Sequence, residues 1–392
     1  MRDAAETLPA TDESARQETT PGAACMQPGT PSNSTADKIY SIQYLRIAAA
    51  LMVVFQHGVH EVNQIAATGH FGTTNLTVDG VFGVKVFFVI SGFIMHALAK
   101  PRLKTPGYWW KFLVERFLRV APMYWLATTL FLCAAVLFSS QVNHATINPL
   151  HVLASYGFVP YPRPGDQEMS PVLALGWSLN YEMFFYVLFG ACIFLNTRSI
   201  TLACTAAFVL IAALHGFTPQ VTALNYLSKP IILLFLAGAL ISYLHQVISQ
   251  RLNLPSWAFV AIIAMLVGIK QAFVPLDGPI QEEFPLAIAM VAAAAFIRIN
   301  DSRTLVSRVL TTGGDASFSL YLFHIFAINA VILIVKKLHF IDRIGAYPVL
   351  SLCIMASLAA GYLVFRYIET PILSWTVRVR KSLFGFVSKP QP

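Results

Sequence analysis

A chain of 392 residues in which 56% are hydrophobic and only 12% are charged is too apolar for an ordinary soluble domain, where about 25% of residues are charged. The net charge of +8 lies in the loops and the C-terminal segment, so it indicates membrane topology rather than nucleic-acid binding. The five cysteines have neither CxxC nor metal-ligand spacing, so we expect no disulfide framework and no metal site.

A polar tail precedes the first apolar run. Residues 1–38 are rich in Thr, Ser, Pro, Ala and acidic residues and have almost no aliphatic periodicity, which predicts a disordered cytoplasmic tail. The first apolar run begins near residue 42, too late and after too polar a lead for a standard cleaved signal peptide. We therefore expect the first span to be retained.

Ten apolar runs are candidates for helices that cross a bilayer, which takes about 20 apolar residues. They cover residues 42–60, 81–99, 120–139, 177–195, 200–215, 229–245, 257–274, 284–299, 317–336 and 347–367. The run 148–160 is short and broken by prolines, so we expect it to be interfacial or re-entrant. The sequence predicts an all-α, polytopic membrane protein with about ten transmembrane helices in residues 39–371, followed by a basic cytoplasmic tail, 372–392.

Basic residues in the loops predict the orientation of these spans. The loop 100–119, the region 298–315 and the C-terminal segment are rich in Lys and Arg, and all three fall inside if both termini are cytoplasmic. The predicted outer loops 61–80 and 276–283 contain no Lys or Arg. The predicted outer loop 336–346 disagrees, because it carries three basic residues.

The segment RIAAALMVVFQH begins with Arg46 and ends with His57, and both are costly groups for a membrane helix. Eleven residues at about 100° each place the two side chains on one helix face, separated by about 16 Å along the axis. Such a pair favours a functional role. A snorkelling Arg46 with an interfacial His57 is an equally good interpretation of these residues alone.

Three further charged residues stand in or beside the spans. Glu182 lies at roughly the predicted depth of His57, so we expect it to pair with that imidazole, although a buried protonated carboxyl is the alternative. Arg116 and Arg119 lie three residues apart on one face at the cytoplasmic end of the third span. Paired guanidinium groups suit phosphate recognition, and ordinary positive-inside anchoring is the alternative.

The remaining polar side chains in the spans favour supporting roles. Ser91 lacks the glycine two positions earlier that a nucleophile elbow needs, so its Ser-Gly pair indicates close helix packing. Ser317, Tyr321 and His324 share one face, as hydrogen-bonded core residues do. Two lysines, Lys85 and Lys270, lie near predicted outer ends, where snorkelling is expected.

Six segments of the chain occur in the order found in a known family. They are IQYLRIAAALMVVFQH (42–57), FGVKVFFVISGFIM (82–95), RFLRVAPMYWL (116–126), WSLNYEMFFY (177–186), SFSLYLFH (317–324) and FRYIETP (365–371). On these segments the chain resembles the membrane-bound acyltransferase family 3. Its IQYLR and LNYEMFFY segments are most similar to the subgroup that acylates exopolysaccharides.

The resemblance implies a ten-helix protein of the bacterial inner membrane that transfers an acyl group, commonly acetyl, from coenzyme A to a carbohydrate hydroxyl. It implies acetyl-CoA as a co-substrate, with no permanently bound cofactor and no nucleic acid. The family's motifs fall on Arg46 with an essential His57, on the donor-binding pair Arg116 and Arg119, and on Glu182. Tyr181 belongs with the supporting or substrate-contacting residues of these segments.

One position departs from the family. Relatives often carry an acidic or neutral polar residue where this chain has Lys85, so the electrostatics beside the SGF segment are expected to differ. The chain ends about 20 residues after the last motif, so an appended SGNH-type hydrolase is not expected.

The expected chemistry is O-acyl transfer. His57 would act as the general base on the acceptor hydroxyl or as a transient acyl carrier, with Glu182 orienting it or binding the sugar. Arg46 would position the donor or stabilise thioester charge. The alternatives are a polysaccharide flippase or transporter without acyl transfer, and the same chemistry on lipopolysaccharide, a lipo-oligosaccharide or a small glycosylated metabolite.

Overall fold

The apolar runs form α-helices, because a backbone surrounded by lipid has to satisfy its own hydrogen bonds. The computed structural model describes residues 39–68, 72–77, 79–103, 105–137, 148–165, 168–194, 199–219, 222–248, 250–273, 280–299, 304–338 and 344–384. The predicted tail, residues 1–38, lies outside the described residues.

Helices account for most of the described chain. They are α1 (Tyr40–Thr68), α2 (Gly80–Ala99), α3 (Tyr108–Leu137), α4 (Pro149–Tyr156), α5 (Trp177–Phe194), α6 (Ile200–Ala213), α7 (Ala223–Leu227), α8 (Leu233–Val247), α9 (Ser256–Phe273), α10 (Phe284–Phe296), α11 (Leu305–Lys337), α12 (Ala346–Val364) and α13 (Thr370–Phe384). Two three-residue strands, β1 (Leu252–Leu254) and β2 (Ile297–Ile299), pair in parallel. Short 3₁₀ turns stand at Lys100–Arg102, Ala174–Gly176, Leu214–Phe217, Pro230–Ile232 and Ile280–Glu283.

The helices confirm the predicted all-α membrane protein. Among the described residues, eight helices are long and apolar enough to cross a membrane. The segments Ser256–Ala272 and Phe284–Phe296 are shorter apolar helices at two further predicted spans. The number of ten spans and the cytoplasmic position of both termini stay predictions.

Several helices extend beyond the predicted spans. Helices α3 and α11 begin at Tyr108 and Leu305, each twelve residues before the predicted span, since apolarity alone does not detect an amphipathic helical extension. Helix α12 continues through a π-helical turn at Phe365–Glu369 into α13, within the predicted basic tail. Arg380 of α13 lies 3.2 Å from Glu115 of α3, which ties this C-terminal helix to the helix that carries the arginine pair.

Glycines set the distance between α2 and α8. A Cβ atom on Gly92 would lie 1.9 Å from the carbonyl oxygen of Phe235, and one on Gly238 would lie 2.0 Å from that of Val89. Such contacts are far inside van der Waals distance, so the two backbones meet only because both positions lack a side chain. The expected close packing beside Ser91 is therefore present at its neighbour, Gly92.

An aromatic core fills the space between α2, α5 and α8. The ring of Phe235 stacks on Phe88 and on Phe185, with centroids 4.5 Å apart in both pairs. Dispersion contacts and shape complementarity, rather than a hydrophobic force, hold helices together in lipid. This cluster fixes the rotation of α5, the helix that carries Glu182.

The snorkelling expected for two lysines is wrong. Lys85 and Lys270 are 3% and 1% exposed, and both are paired with Glu283 at the start of α10. The Lys270 ammonium also lies 3.0 Å from the carboxylate of Asp79, the residue that caps α2. Buried charges are tolerated only when they are paired, so these four residues form a charge-balanced junction between α2, α9 and α10.

Candidate active site

One cavity collects the predicted arginines, and we call it the arginine cavity. It measures about 140 Å³ and lies between α1, α2, α3, α5 and α11. Arg46, Arg116, Arg119 and Glu182 all contribute to its lining. Three guanidinium groups face one carboxylate there, so the lining is net positive and suits an anionic ligand.

The guanidinium groups in this cavity differ in their partners. Nη1 of Arg46 donates to Oε1 of Gln43, one turn earlier on α1, at 3.3 Å. Nε of Arg116 is buried and has no hydrogen-bond partner in the described part of the chain. A buried unpaired donor costs about 1–3 kcal/mol. Arg116 thus lines the arginine cavity while its buried Nε donor has no partner among the described residues.

Glu182 is held by two hydroxyl groups inside the arginine cavity. Ser91 donates to its Oε1 at 3.0 Å, and Tyr186, one turn further along α5, donates to the same oxygen at 2.5 Å. Both donors also line the cavity. The carboxylate is thus oriented toward the arginine side of the molecule.

A second cavity contains His57, and we call it the histidine cavity. It measures about 620 Å³. Its lining combines aromatic and polar side chains, chiefly Gln56, His57, Trp177, Tyr181, Tyr226 and Lys229. Aromatic faces with adjacent hydrogen-bonding groups are suited to sugar rings, which have apolar faces and polar edges.

The aromatic wall of the histidine cavity is held by its own hydrogen bonds. Tyr181 donates to the carbonyl of Tyr226 at 2.5 Å, and their rings stack with centroids 4.8 Å apart. Tyr226 donates to the carbonyl of Trp177 at 3.3 Å. Burial raises the pKa of the Tyr226 phenol, so the group remains a neutral hydrogen-bond donor.

His57 contacts a second histidine. Its Nδ1 lies 2.9 Å from the carbonyl oxygen of Val53 and 3.3 Å from Nε2 of His324. The His324 side chain is fully buried, and its Nδ1 lies beside the carbonyls of Leu320 and Tyr321. The histidine expected to be a core residue is thus the neighbour of the predicted catalytic histidine.

Two residues, Val84 and Tyr321, line both cavities. The Tyr321 hydroxyl donates to the carbonyl of Leu175 at 2.8 Å and lies 2.9 Å from Oγ of Ser178, which holds the ring in place. Val84 is 5% exposed. Together they form the partition between the arginine cavity and the histidine cavity.

The structure does not bring Glu182 and His57 together, which differs from the predicted pairing. Tyr181 and Glu182 are consecutive on α5, so their side chains diverge by about 100°. Tyr181 lines the histidine cavity, whereas Glu182 lines the arginine cavity. Glu182 and His57 were predicted to lie at a similar depth in the membrane, but Glu182 projects from the side of α5 that faces the other cavity.

Arg46 and His57 are likewise divided between the cavities. Their eleven-residue spacing leaves them on one face of α1 but about 16 Å apart along it, and the partition lies between them. Ser317 lines the arginine cavity and donates to the carbonyl of Gly314 at 2.8 Å, a supporting contact as predicted for its face.

Some residues of the site were not identified from the sequence. Tyr186 could have been found, because it lies four residues after Glu182 on a helix. Glu369 lines neither cavity, but its carboxylate interacts electrostatically with Arg46 and Arg119. It is 1% exposed and accepts a hydrogen bond from Ser319 at 2.6 Å. It ends the π-helical turn, and such turns are frequent at functional sites. The sequence signal that could have identified Glu369 is a carboxylate next to Thr-Pro at the end of an apolar span.

The chain is similar to known proteins. A family profile described as an acyltransferase domain matches residues 39–379. The chain is 33% identical over 311 residues to the exopolysaccharide production protein ExoZ of Rhizobium meliloti (strain 1021), covering 78% of this chain and 92% of that protein. No solved structure matches the chain.

Proposed function

The chain belongs to the acyltransferase 3 family, and from this premise we propose that it transfers an acetyl group from acetyl-coenzyme A to a hydroxyl of an exported polysaccharide. It is a multi-pass membrane acyltransferase. The observation that carries the finer proposal is the pair of chemically different cavities that meet at Val84 and Tyr321.

The arginine cavity is the proposed donor site. Coenzyme A carries several phosphates, and guanidinium groups bind phosphate with short, charge-assisted hydrogen bonds. Arg116 and Arg119 would bind the phosphates from the cytoplasmic side of the bacterial inner membrane, because acetyl-CoA is made in the cytoplasm. Arg46, about 16 Å from His57, would contact the donor on its way to the partition.

The histidine cavity is the proposed acceptor site. It is more than four times larger than the arginine cavity, and Trp177, Tyr181 and Tyr226 provide aromatic surface for a sugar ring. The relative ExoZ is named for exopolysaccharide production. These two observations favour a polysaccharide as the acceptor over a small metabolite.

The proposed reaction joins the two cavities at the partition. The acetyl thioester extends past Val84 and Tyr321, and the acceptor hydroxyl oxygen attacks its carbonyl carbon. His57 removes the hydroxyl proton, the carbon–sulphur bond breaks, and the proton passes to the departing thiolate, so that free coenzyme A thiol and an acetyl ester result. Glu182 serves the donor side here, because it and its two hydrogen-bond donors, Ser91 and Tyr186, line the arginine cavity.

The test is a His57→Ala variant in proteoliposomes supplied with acetyl-CoA and the deacetylated polysaccharide of the host. We expect thiol release to fall by at least about 100-fold, since a positioned general base contributes about 10²–10⁴-fold. The matched control is His60→Ala, which removes an exposed histidine of the same helix.

Two results would contradict the proposal. Acetylation that survives in His57→Ala would remove His57 from the chemistry, and wild-type protein that releases no thiol with both substrates present would favour a transporter. A burst of thiol from acetyl-CoA without acceptor that is lost in His57→Ala would identify His57 as an acyl carrier rather than a base.

A further inference from the structure

The contact between His57 and His324 determines which nitrogen of His57 is free to react. These residues lie on α1 and α11, 267 positions apart in the chain, with ring centroids 5.0 Å apart. His57 lines the histidine cavity, whereas His324 is fully buried behind it. The hydrogen-bond partners around both rings determine which ring nitrogen of each histidine carries the proton.

The partners of His324 assign its tautomer. Its Nδ1 lies 2.8 Å from the carbonyl oxygen of Tyr321 and 3.1 Å from that of Leu320. Carbonyl oxygens only accept hydrogen bonds, so Nδ1 of His324 carries the proton. The fully buried His324 imidazole contacts backbone carbonyls and His57 but no carboxylate among the described residues, so it stays neutral, because an isolated charge is costly there. Nε2 of His324 is therefore an acceptor that faces His57.

The tautomer of His57 follows from this arrangement. Its Nδ1 is within hydrogen-bond distance of two acceptors, the carbonyl oxygen of Val53 at 2.9 Å and Nε2 of His324 at 3.3 Å. A nitrogen between two acceptors has to be the donor, so Nδ1 of His57 carries the proton. The lone pair of His57 is then on Nε2, and Nε2 is the basic nitrogen available to a ligand in the histidine cavity.

We propose that His324 is a positioning residue that holds His57 in the Nδ1–H tautomer, with Nε2 as the base. The inference rests on the proposed function of His57 in acyl transfer. When Nε2 takes the proton of the acceptor hydroxyl, Nδ1–H continues to donate to His324, which stabilises the imidazolium. His324 itself takes no proton, since two adjacent imidazolium groups would repel each other.

A purely structural role for His324 makes a different prediction about two variants. In His324→Asn, an amide N–H replaces Nδ1–H beside the carbonyls of Leu320 and Tyr321, but nothing reaches His57. In His324→Gln, the longer side chain presents an oxygen acceptor near the position of Nε2. A structural role favours Asn, whereas a positioning role favours Gln.

The first measurement is ring-¹⁵N NMR of the full chain in lipid bilayers, with the His57 signals assigned by their loss in His57→Gln. We expect His57 to be the Nδ1–H tautomer in the wild type and in His324→Gln, and to show a detectable fraction of the Nε2–H tautomer in His324→Asn, where the carbonyl oxygen of Val53 remains as an acceptor for Nδ1. A wild-type His57 protonated on Nε2, or no change in His324→Asn, would overturn the proposal. This measurement does not depend on activity.

The second measurement is steady-state kinetics with acetyl-CoA and the deacetylated host polysaccharide. We expect kcat of His324→Asn to fall about 10- to 100-fold, because Nδ1–H loses one of its two acceptors and the imidazolium is less stabilised, with KM for both substrates within twofold. His324→Gln should stay within about fivefold of wild type. Equal rates for the two variants would contradict positioning. A changed tautomer with an unchanged rate would leave the tautomer assignment standing and overturn the proposed catalytic role of His57.

Discussion

The arginine cavity and the histidine cavity share Val84 and Tyr321 in their linings, yet they have different chemical character. The first is small and lined by three guanidinium groups with one carboxylate. The second is large and lined by aromatic rings, polar groups and His57. The difference fits the proposed division into a donor site and an acceptor site on either side of the partition.

The comparison also separates binding from chemistry. In the arginine cavity the lining offers charges suited to an anion, whereas in the histidine cavity His57 and His215 line a space large enough for a sugar. Substitutions on the arginine side should therefore change the affinity for the donor. Substitutions at the partition should change transfer without changing that affinity.

Among the substitutions that test this comparison, the largest effect is expected at Arg116. Arg116→Ala should raise KM for acetyl-CoA about 10- to 100-fold, because a hydrogen bond to a charged group contributes about 1.5–3 kcal/mol. The matched control is Arg378→Ala, which removes an exposed arginine of α13. Isothermal titration with coenzyme A gives a second measure. Equal affinities of the two variants for coenzyme A would mean that Arg116 only anchors the helix at the cytoplasmic surface, as the positive-inside rule describes.

The partition provides the next effect. Val84→Phe should lower kcat about tenfold with acetyl-CoA binding unchanged, because the larger ring obstructs the junction between the cavities. Val84→Ala is its counterpart and should increase the rate with butyryl-CoA relative to acetyl-CoA. Overpacking costs about 1–3 kcal/mol, so thermal unfolding of Val84→Phe has to be compared with wild type. If neither variant alters the acyl-chain preference, the acyl group does not pass Val84.

The smallest effect distinguishes the two roles considered for Glu182. If the carboxylate serves the arginine cavity, Glu182→Gln should lower KM for acetyl-CoA by roughly two- to fivefold, since it removes one negative charge facing the donor. Tyr186→Phe, which removes a donor to that carboxylate but no charge, is the control. A loss of kcat of about 100-fold at constant KM would instead restore the predicted pairing with His57.

Much of the site was predictable because helical periodicity is local. The spacing of Arg46 and His57 predicted one face of α1, and that of Arg116 and Arg119 predicted a pair on α3; all three arginines line one cavity. The partner of His57 was not predictable in this way. His324 lies 267 residues away, and nothing in its own segment distinguishes a packed histidine from one that contacts another imidazole.

Apolar residues at the site were beyond any sequence pattern. Val84 is one valine within an apolar helix, and its role depends on which side chains of α1, α5 and α11 surround it. Lys85, its neighbour, was expected to reach the membrane surface but is buried against Glu283. In both cases the packing partner is distant in the chain.

The amino-acid sequence by itself determined the helical membrane fold, the acyltransferase family and the charged residues available for binding. Composition and periodicity act within single helices, so they are sufficient for these features. The tertiary structure decided that Glu182 belongs with the arginines and His57 with His324. The rotation of each helix about its axis is set by contacts with its neighbours, such as the glycine crossing of α2 and α8 and the rings stacked on Phe235.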